Sequence, residues 1–185
     1  MPRIVEEQPY NGVLQRIERL GLVPIVGELR VIIQGFTLEV EERRDANGGA
    51  AVRKLLDARF SAADGWVKKQ TGDVDWTKCR VVDGTRLCLG VEIQFSGRSD
   101  LIVVDLIHLR RALTDGRIDV AILVVPSDRL GVFLTDRGPR MADAKRHVAA
   151  ARADDLPLLL VGLEHDGPGR ALPKQAKRAP RIDDD

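Results

Sequence analysis

A chain of 185 residues is long enough to bury one sizeable core. Its 29 Lys and Arg offset 28 Asp and Glu, which excludes a global polycation and leaves any contact with nucleic acid to a local patch. Two cysteines, a start "MPRIVEEQPY" without the layout of a secretory leader, and no apolar run of membrane-spanning length point to a soluble cytoplasmic protein with reduced thiols and no membrane partner.

Val13, Leu14, Ile17 and Leu20 fall at helical spacing, and a second helical piece follows the break at "GLVP", so residues 11–33 read as two helices. "FTLEVEERR" alternates as a strand does, and "RRDANGGAA" is a loop from which Asn47 or a neighbouring glycine starts a helix over 50–63. "WVKKQ" reads as a strand, followed by the hairpin "VDWTKCRVVDGTRLCLGVEIQF". Ser99 then starts a helix that runs through Leu113 and stops at Gly116, with Val103 and Val104 leaving a strand reading open for its first half. "IDVAILVVP" is a nearly unbroken apolar run, the pattern of a central strand buried on both faces. "LGVFLTD" reads as a short strand, "MADAKRHVAAARA" as a helix and "LPLLLVGL" as another buried strand. From "EHDGPGR" onward Gly, Pro, Lys and Arg dominate and the chain ends in "DDD". Residues 1–166 therefore read as one domain, and 167–185 as a basic and acidic tail ordered only if a partner holds it. The fold class is α/β: a central mixed β-sheet flanked by helices, with an antiparallel hairpin feeding parallel strands through a right-handed crossover.

The hairpin poses a chemical question. If Asp83-Gly84 is a two-residue turn, the pairing runs outward until Asp75 lies opposite Glu92. Cys79 then faces Cys88, Thr77 faces Gly90 and Val81 faces Arg86 on the acidic side, while Trp76, Leu87, Leu89 and Val91 share the other. Cys79 and Cys88 are close enough in this register to bridge, but a reducing compartment favours two small half-buried thiols. Opposed acids with Cβ atoms roughly 4.5–5.5 Å apart repel, and either a proton on one of them or a divalent cation between them relieves the repulsion. The acidic face should look into a cleft, because a helix packed over it would desolvate both charges. A slip of one residue would send the carboxylates to opposite faces.

Asp75, Glu92 and the Ile93 carbonyl offer oxygens suited to Mg²⁺, an ion that polarises a phosphoryl oxygen and acidifies a water. Gln94, next along the acidic side, has an amide that orients a water but lacks the charge of a lysine.

Asp75 followed by Glu92-Ile93-Gln94 at the end of a hairpin, then a helix and a buried strand, resembles the PD-(D/E)XK nuclease superfamily. The Glu-x-Gln variant, continued by "FSGRSDLIVVDLIHLRRALTDGRIDVAILVVPSDRL", is similar to the BglII-like type II restriction endonucleases, in which a glutamine stands in the usual lysine place. The likeness covers residues 65–129 and implies a restriction-endonuclease-like core, a Mg²⁺-dependent homodimer, and cleavage of both strands of a short palindromic site in double-stranded DNA. Carried over, Asp75 and Glu92 are metal ligands and, with Gln94, the catalytic residues. A nine-residue spacing would select Asp83 instead, but Asp83-Gly84 is needed for the turn and lies a hairpin's length from Glu92. Asp57 on the preceding helix is the best candidate for a further upstream acid.

Other polar residues fit the same reading. Ser127, Asp128 and Arg129 follow the buried strand at the end where open α/β sheets place ligands, and Arg137 and Arg140 flank a Gly-Pro turn. Arginine grips guanine edges and asparagine adenine edges, which makes Asn47, Ser127, Asp128, Arg129, Arg137 and Arg140 the candidates for DNA contact, against a reading of ordinary loop polarity. His108 reads as a helix-face residue rather than a ligand, since no second histidine stands at metal spacing. Two other functions remain open. The first is a catalytically silent DNA-binding or assembly module that keeps the fold, suggested by Gln94. The second is a carboxylate-pair glycosidase, against which an aromatic content of 4% argues.

Overall fold

The structure is a computed structural model that describes residues 1–68, 73–135 and 138–174. In chain order its elements are β1 (Arg3–Pro9), α1 (Val13–Arg19), α2 (Val23–Gln34), β2 (Glu39–Val40), α3 (Gly49–Ala62), β3 (Val67–Lys68), β4 (Trp76–Val82) and β5 (Thr85–Ile93). They continue with α4 (Ile102–Thr114), β6 (Val120–Pro126), α5 (Asp128–Phe133), α6 (Met141–Ala150), β7 (Leu158–Glu164) and β8 (Gly167–Pro168).

A six-stranded sheet runs in the order β1-β7-β6-β5-β4-β3. Its middle strands β5, β6 and β7 are parallel, whereas β3, β4 and β1 join antiparallel, so the expected mixed sheet forms. Every residue of β6 and β7 is buried, as their unbroken apolar sequences demand. One face packs beneath α1, α2 and α3 through Val13, Leu29, Val52, Leu56 and Phe60. Leu106 and Leu109 of α4 and Ala144 and Val148 of α6 cover the other. The open strand reading at Val103 and Val104 resolves as helix, because Ile102, Leu106 and Leu109 need the helical period to reach the sheet.

The Asp-Gly turn sets the hairpin register as anticipated: Val82 pairs with Thr85, Cys79 with Cys88 and Trp76 with Val91. Asp83 and Gly84 both take positive φ, 48° and 77°, the conformation this turn requires. The expectation of reduced thiols does not hold, since Cys79 and Cys88 form a disulfide across the two strands. Cys88 turns its backbone N–H and carbonyl away from β4, toward Asp119, and the opposed side chains come close.

Four other expectations change. Of "FTLEVEERR" only Glu39 and Val40 are strand, in a separate parallel pair with β8. "LGVFLTD" contributes to helix α5 rather than a strand, because the Ser127 hydroxyl caps it by accepting the Leu130 N–H at 3.0 Å. Residues 3–9, without an expected element, form the edge strand β1, whose exposure alternates although its sequence does not: Val5 is exposed while Glu6 and Gln8 are half-buried. Residues 164–174 are held by the chain itself: Glu164 and His165 are buried, and the Gly48 N–H donates to the Leu172 carbonyl at 3.1 Å. Positions 175–185 of the expected tail lie outside the described residues.

Gly48 and Gly49 bring this loop against the strand that carries the acids. A Cβ on Gly49 would stand 1.7 Å from the Phe95 carbonyl oxygen, and one on Gly48 2.1 Å from that of Pro173. Both neighbours are backbone, so the chain itself would have to move. Gly49→Ala is expected to destabilise the fold by about 3 kcal/mol, read as a shift of the urea midpoint, and a midpoint unchanged from the parent would show that the loop yields freely.

Candidate active site

Strand β5 delivers Glu92 to its C-terminal end, and α3 delivers a cation to the same place. Phe60 of α3 stacks on Trp76 of β4 at 5.3 Å, and the Trp76 indole N–H donates to Asp57 Oδ1 at 3.0 Å. With the helix fixed against the hairpin, Arg53, one turn before Asp57, reaches the end of the sheet. Its Nε donates to Asp57 Oδ1 at 3.2 Å, its Nη2 to Asp75 Oδ1 at 2.6 Å and its Nη1 to the Ile93 carbonyl. Asp75 Oδ2 accepts the Ile93 N–H at 2.8 Å, so this side chain takes over where the β4–β5 ladder stops.

The pairing of Trp76 with Val91 sets Asp75 and Glu92 at one level of the hairpin, and the charge of Asp75 bears on the Glu92 carboxyl. The expectation of an open cleft does not hold. Helix α4 packs over this face, leaving Glu92 3% exposed while Asp75, at the rim, keeps 22%. Burial, then the charge of Asp75 and its hydrogen bond, push the Glu92 carboxyl far above the ordinary carboxylate range. Burial and Asp75 likewise raise Asp105, on α4, to about 7.

His108, on the next turn of α4, puts Nδ1 3.2 Å from Glu92 Oε1, so it is not the uninvolved helix-face residue expected from sequence. Glu92, Asp105 and His108 each offer a ligand atom, and these atoms lie within 4.8 Å of one another. Asp105 Oδ2 is buried without a hydrogen-bond partner. Among the described residues, if Asp57, Asp75, Glu92 and Asp105 were all ionised, Arg53 and Lys68 would leave two negative charges uncompensated. Protonation settles that excess in the protein alone, and a divalent cation would settle it with the protons released, so the donor set fits such an ion. Arg53 and Asp105 were missed at the sequence level. The i,i+4 pairing of Arg53 with Asp57 and the i,i+3 spacing of Asp105 with His108 were the available signals.

The remaining candidates divide. Gln94 lies just beyond β5, its backbone N–H bonded to the Val124 carbonyl at 2.9 Å and its amide donating to the Ser96 carbonyl at 2.6 Å. Asp57 sits behind Arg53, held by Trp76 and Lys68 rather than by the acid pair. Asn47 is wholly buried: its oxygen accepts from the Glu41 and Leu172 N–H groups, and its nitrogen donates to the Glu41 and Phe133 carbonyls. It is therefore a staple between loops, with no amide edge left for a base. Ser127 is buried too, capping α5 and donating to Glu164 Oε2 at 2.7 Å. Asp128 accepts the Ala142 N–H at 2.9 Å in the first turn of α6. Arg129 is 56% exposed and pairs with Glu42 at 2.8 Å. Arg140 precedes α6 with its stem against Gly131, and Arg137 lies outside the described residues.

Among the described residues no helix is long and apolar enough to cross a membrane. No curated protein matches the chain. Residues 23–163, from the start of α2 to the penultimate residue of β7, match the restriction endonuclease BglII/BglIII family. That span takes in every strand of the mixed sheet but β1, together with Arg53, both acids of the hairpin and the α4 side chains above them. The chain belongs to the BglII/BglIII family of restriction endonucleases, site-specific enzymes that cut DNA.

Proposed function

We propose that the protein is a Mg²⁺-dependent homodimer that hydrolyses phosphodiester bonds at a specific sequence in double-stranded DNA. The observation that carries this reading is the meeting of Asp75 and Glu92 at the end of β5, within a set of acids that exceeds its cations. When bound there, a divalent ion supplies charge that polarises a phosphoryl oxygen and acidifies a water. Asp75 and Glu92 would hold it, with the Ile93 carbonyl as a further oxygen donor once Arg53 releases it. Gln94 orients without charge, its amide freed from Ser96. Arg129, whose pairing with Glu42 is largely exposed and weak, is free to exchange that partner for a phosphate or a guanine edge, and Arg140 lies close by against α5.

Unmethylated plasmid and linear duplexes of diverse sequence, incubated with Mg²⁺, are expected to give discrete fragments that EDTA abolishes. A second reading, a silent DNA-binding module, is favoured by the Gln94 amide turned to Ser96 and by Arg53 across Asp75. Absence of metal-dependent cutting on every duplex would select it.

The raised Glu92 and Asp105 carboxyls give this site a pH signature. Glu92 holds a proton throughout this range and Asp105 up to about pH 7, and a cation must displace them, so cation affinity should rise from pH 5 to pH 8. Calorimetry in buffers of different ionisation enthalpy is expected to show about one or more protons released per ion. Release of none would mean that neither acid is a ligand.

Dimerisation has support that the sequence did not reveal. Leu101, just before α4, and Val104 and Ile107 on it expose 44%, 43% and 57% of their surface. A second copy is the occupant that twofold cutting of a duplex calls for. Ile107→Glu should convert a sedimenting dimer to monomer and replace double-strand breaks by nicks, and a variant that sediments as the parent does would exclude this face.

A further inference from the structure

The α4 side of Glu92 holds chemistry that the hairpin acids do not use. Asp105 and His108 stand three residues apart on one helix face, an arrangement that lets an acid and an imidazole converge on a single ion. Their ligand atoms and one from Glu92 lie within 4.8 Å of each other, against a separation of about 3–4 Å between ligand atoms around an ion bound at roughly 2.1 Å. A small rotamer adjustment closes the difference. Asp105 Oδ2 is buried with no partner, the condition of a donor oxygen awaiting a cation. Glu92 has one oxygen 3.2 Å from His108 and its carboxyl within reach of Asp75, so it is the natural bridge between two sites.

We propose that Glu92, Asp105 and His108 form a second divalent-cation site, adjoining that of Asp75 and Glu92 and selective for a first-row transition ion over Mg²⁺. Imidazole nitrogen is the reason for the selectivity: Mg²⁺ prefers oxygen donors and retains its waters, whereas Mn²⁺ and the ions after it accept a nitrogen readily. An ion there ties α4 to the end of β5 and holds Glu92 ionised. The proposal extends the reading of Asp75 and Glu92 as a cation-binding pair, from which it takes Glu92, and the two can fail separately.

The test is a Mn²⁺ titration of the metal-free full chain, without DNA, with bound ion counted by electron paramagnetic resonance. The parent is expected to bind about two ions per chain, one of which excess Mg²⁺ displaces. His108→Ala and Asp105→Asn should each bind one, fully exchangeable with Mg²⁺, and Asp75→Asn should keep the one that resists Mg²⁺. Spin-echo modulation from a single imidazole nitrogen on bound Mn²⁺ in the parent checks the site without any substitution, and His108→Gln serves if the alanine variant fails to fold. Two ions in His108→Ala and no nitrogen coupling would overturn the proposal. One parental ion that survives His108→Ala but not Asp75→Asn would overturn it and leave the hairpin site standing. One ion with the reverse pattern would uphold it and remove the hairpin site, and no bound ion would remove both.

Discussion

Glu92→Gln is expected to give a protein that no longer cuts DNA and yet melts at a higher temperature than its parent. The native Glu92 carboxyl keeps its proton far above the ordinary 4.5, chiefly because burial and then the Asp75 charge penalise the ionised form. The unfolded chain releases that proton near 4.5, so from pH 5 to pH 8 the native state carries one proton more than the unfolded state. Stability therefore falls by about 1.4 kcal/mol for each pH unit gained, and the contribution is fully present only below 4.5. By pH 7 the loss is on the order of 3 kcal/mol, which the always-neutral amide of glutamine avoids while filling the same space. In a chain of this size that corresponds to a melting temperature roughly 6–12 °C higher without metal, shrinking toward zero below pH 5. Cleavage moves the other way. With Glu92 as the proposed ligand, its loss would cost several kcal/mol of transition-state stabilisation, so the rate should drop by about a thousandfold or more. Melting scans across pH and single-turnover cleavage read both arms, and a variant that cuts at the parental rate removes Glu92 from the site.

What was legible in the sequence was what a local rule controls. Asp83-Gly84 admits few backbone conformations, and those oblige the strands to place Asp75 at the level of Glu92. Unbroken apolar runs can be strands only in the middle of a covered sheet, which is where β6 and β7 lie. The other half of the site depends on packing between elements remote in sequence. Nothing near Arg53 states that α3 will dock on the hairpin through Phe60 and Trp76, and that docking carries the guanidinium to Asp75. Helix α4 likewise reads as amphipathic, but only its angle across β5 decides whether Asp105 and His108 overhang Glu92 or solvent. Asn47 and Ser127 show the converse error. Loop position and polarity suggested contact with DNA, whereas loops that fold back under other loops must satisfy their buried backbone groups, and these side chains are consumed in doing so.

The same docking makes Arg53→Ala the substitution with the most divided outcome. The guanidinium is half-buried and bridges Asp57, Asp75 and the Ile93 carbonyl; burial works against its charge, and its pairings with Asp75 and Asp57 together more than offset that. Removing it leaves Asp75 facing Glu92 and Asp57 without that cation, at a cost of about 3 kcal/mol, or a melting temperature roughly 6–12 °C lower in EDTA. A divalent cation at the proposed hairpin site would compete with this guanidinium for Asp75 Oδ1 and the Ile93 oxygen, because lone pairs engaged by one are denied to the other. A hydrogen bond to a charged group contributes about 1.5–3 kcal/mol, so its absence should tighten Mn²⁺ binding by roughly ten- to a hundredfold. Saturating cation should then restore most of the lost melting temperature, making the metal-induced shift larger in the variant than in the parent. Arg53→Lys, which keeps the charge but not the fork, should fall between the two. Unchanged Mn²⁺ affinity in Arg53→Ala would show that the ion binds away from Asp75, and that the guanidinium is a structural clamp on the hairpin rather than the resident cation of the site.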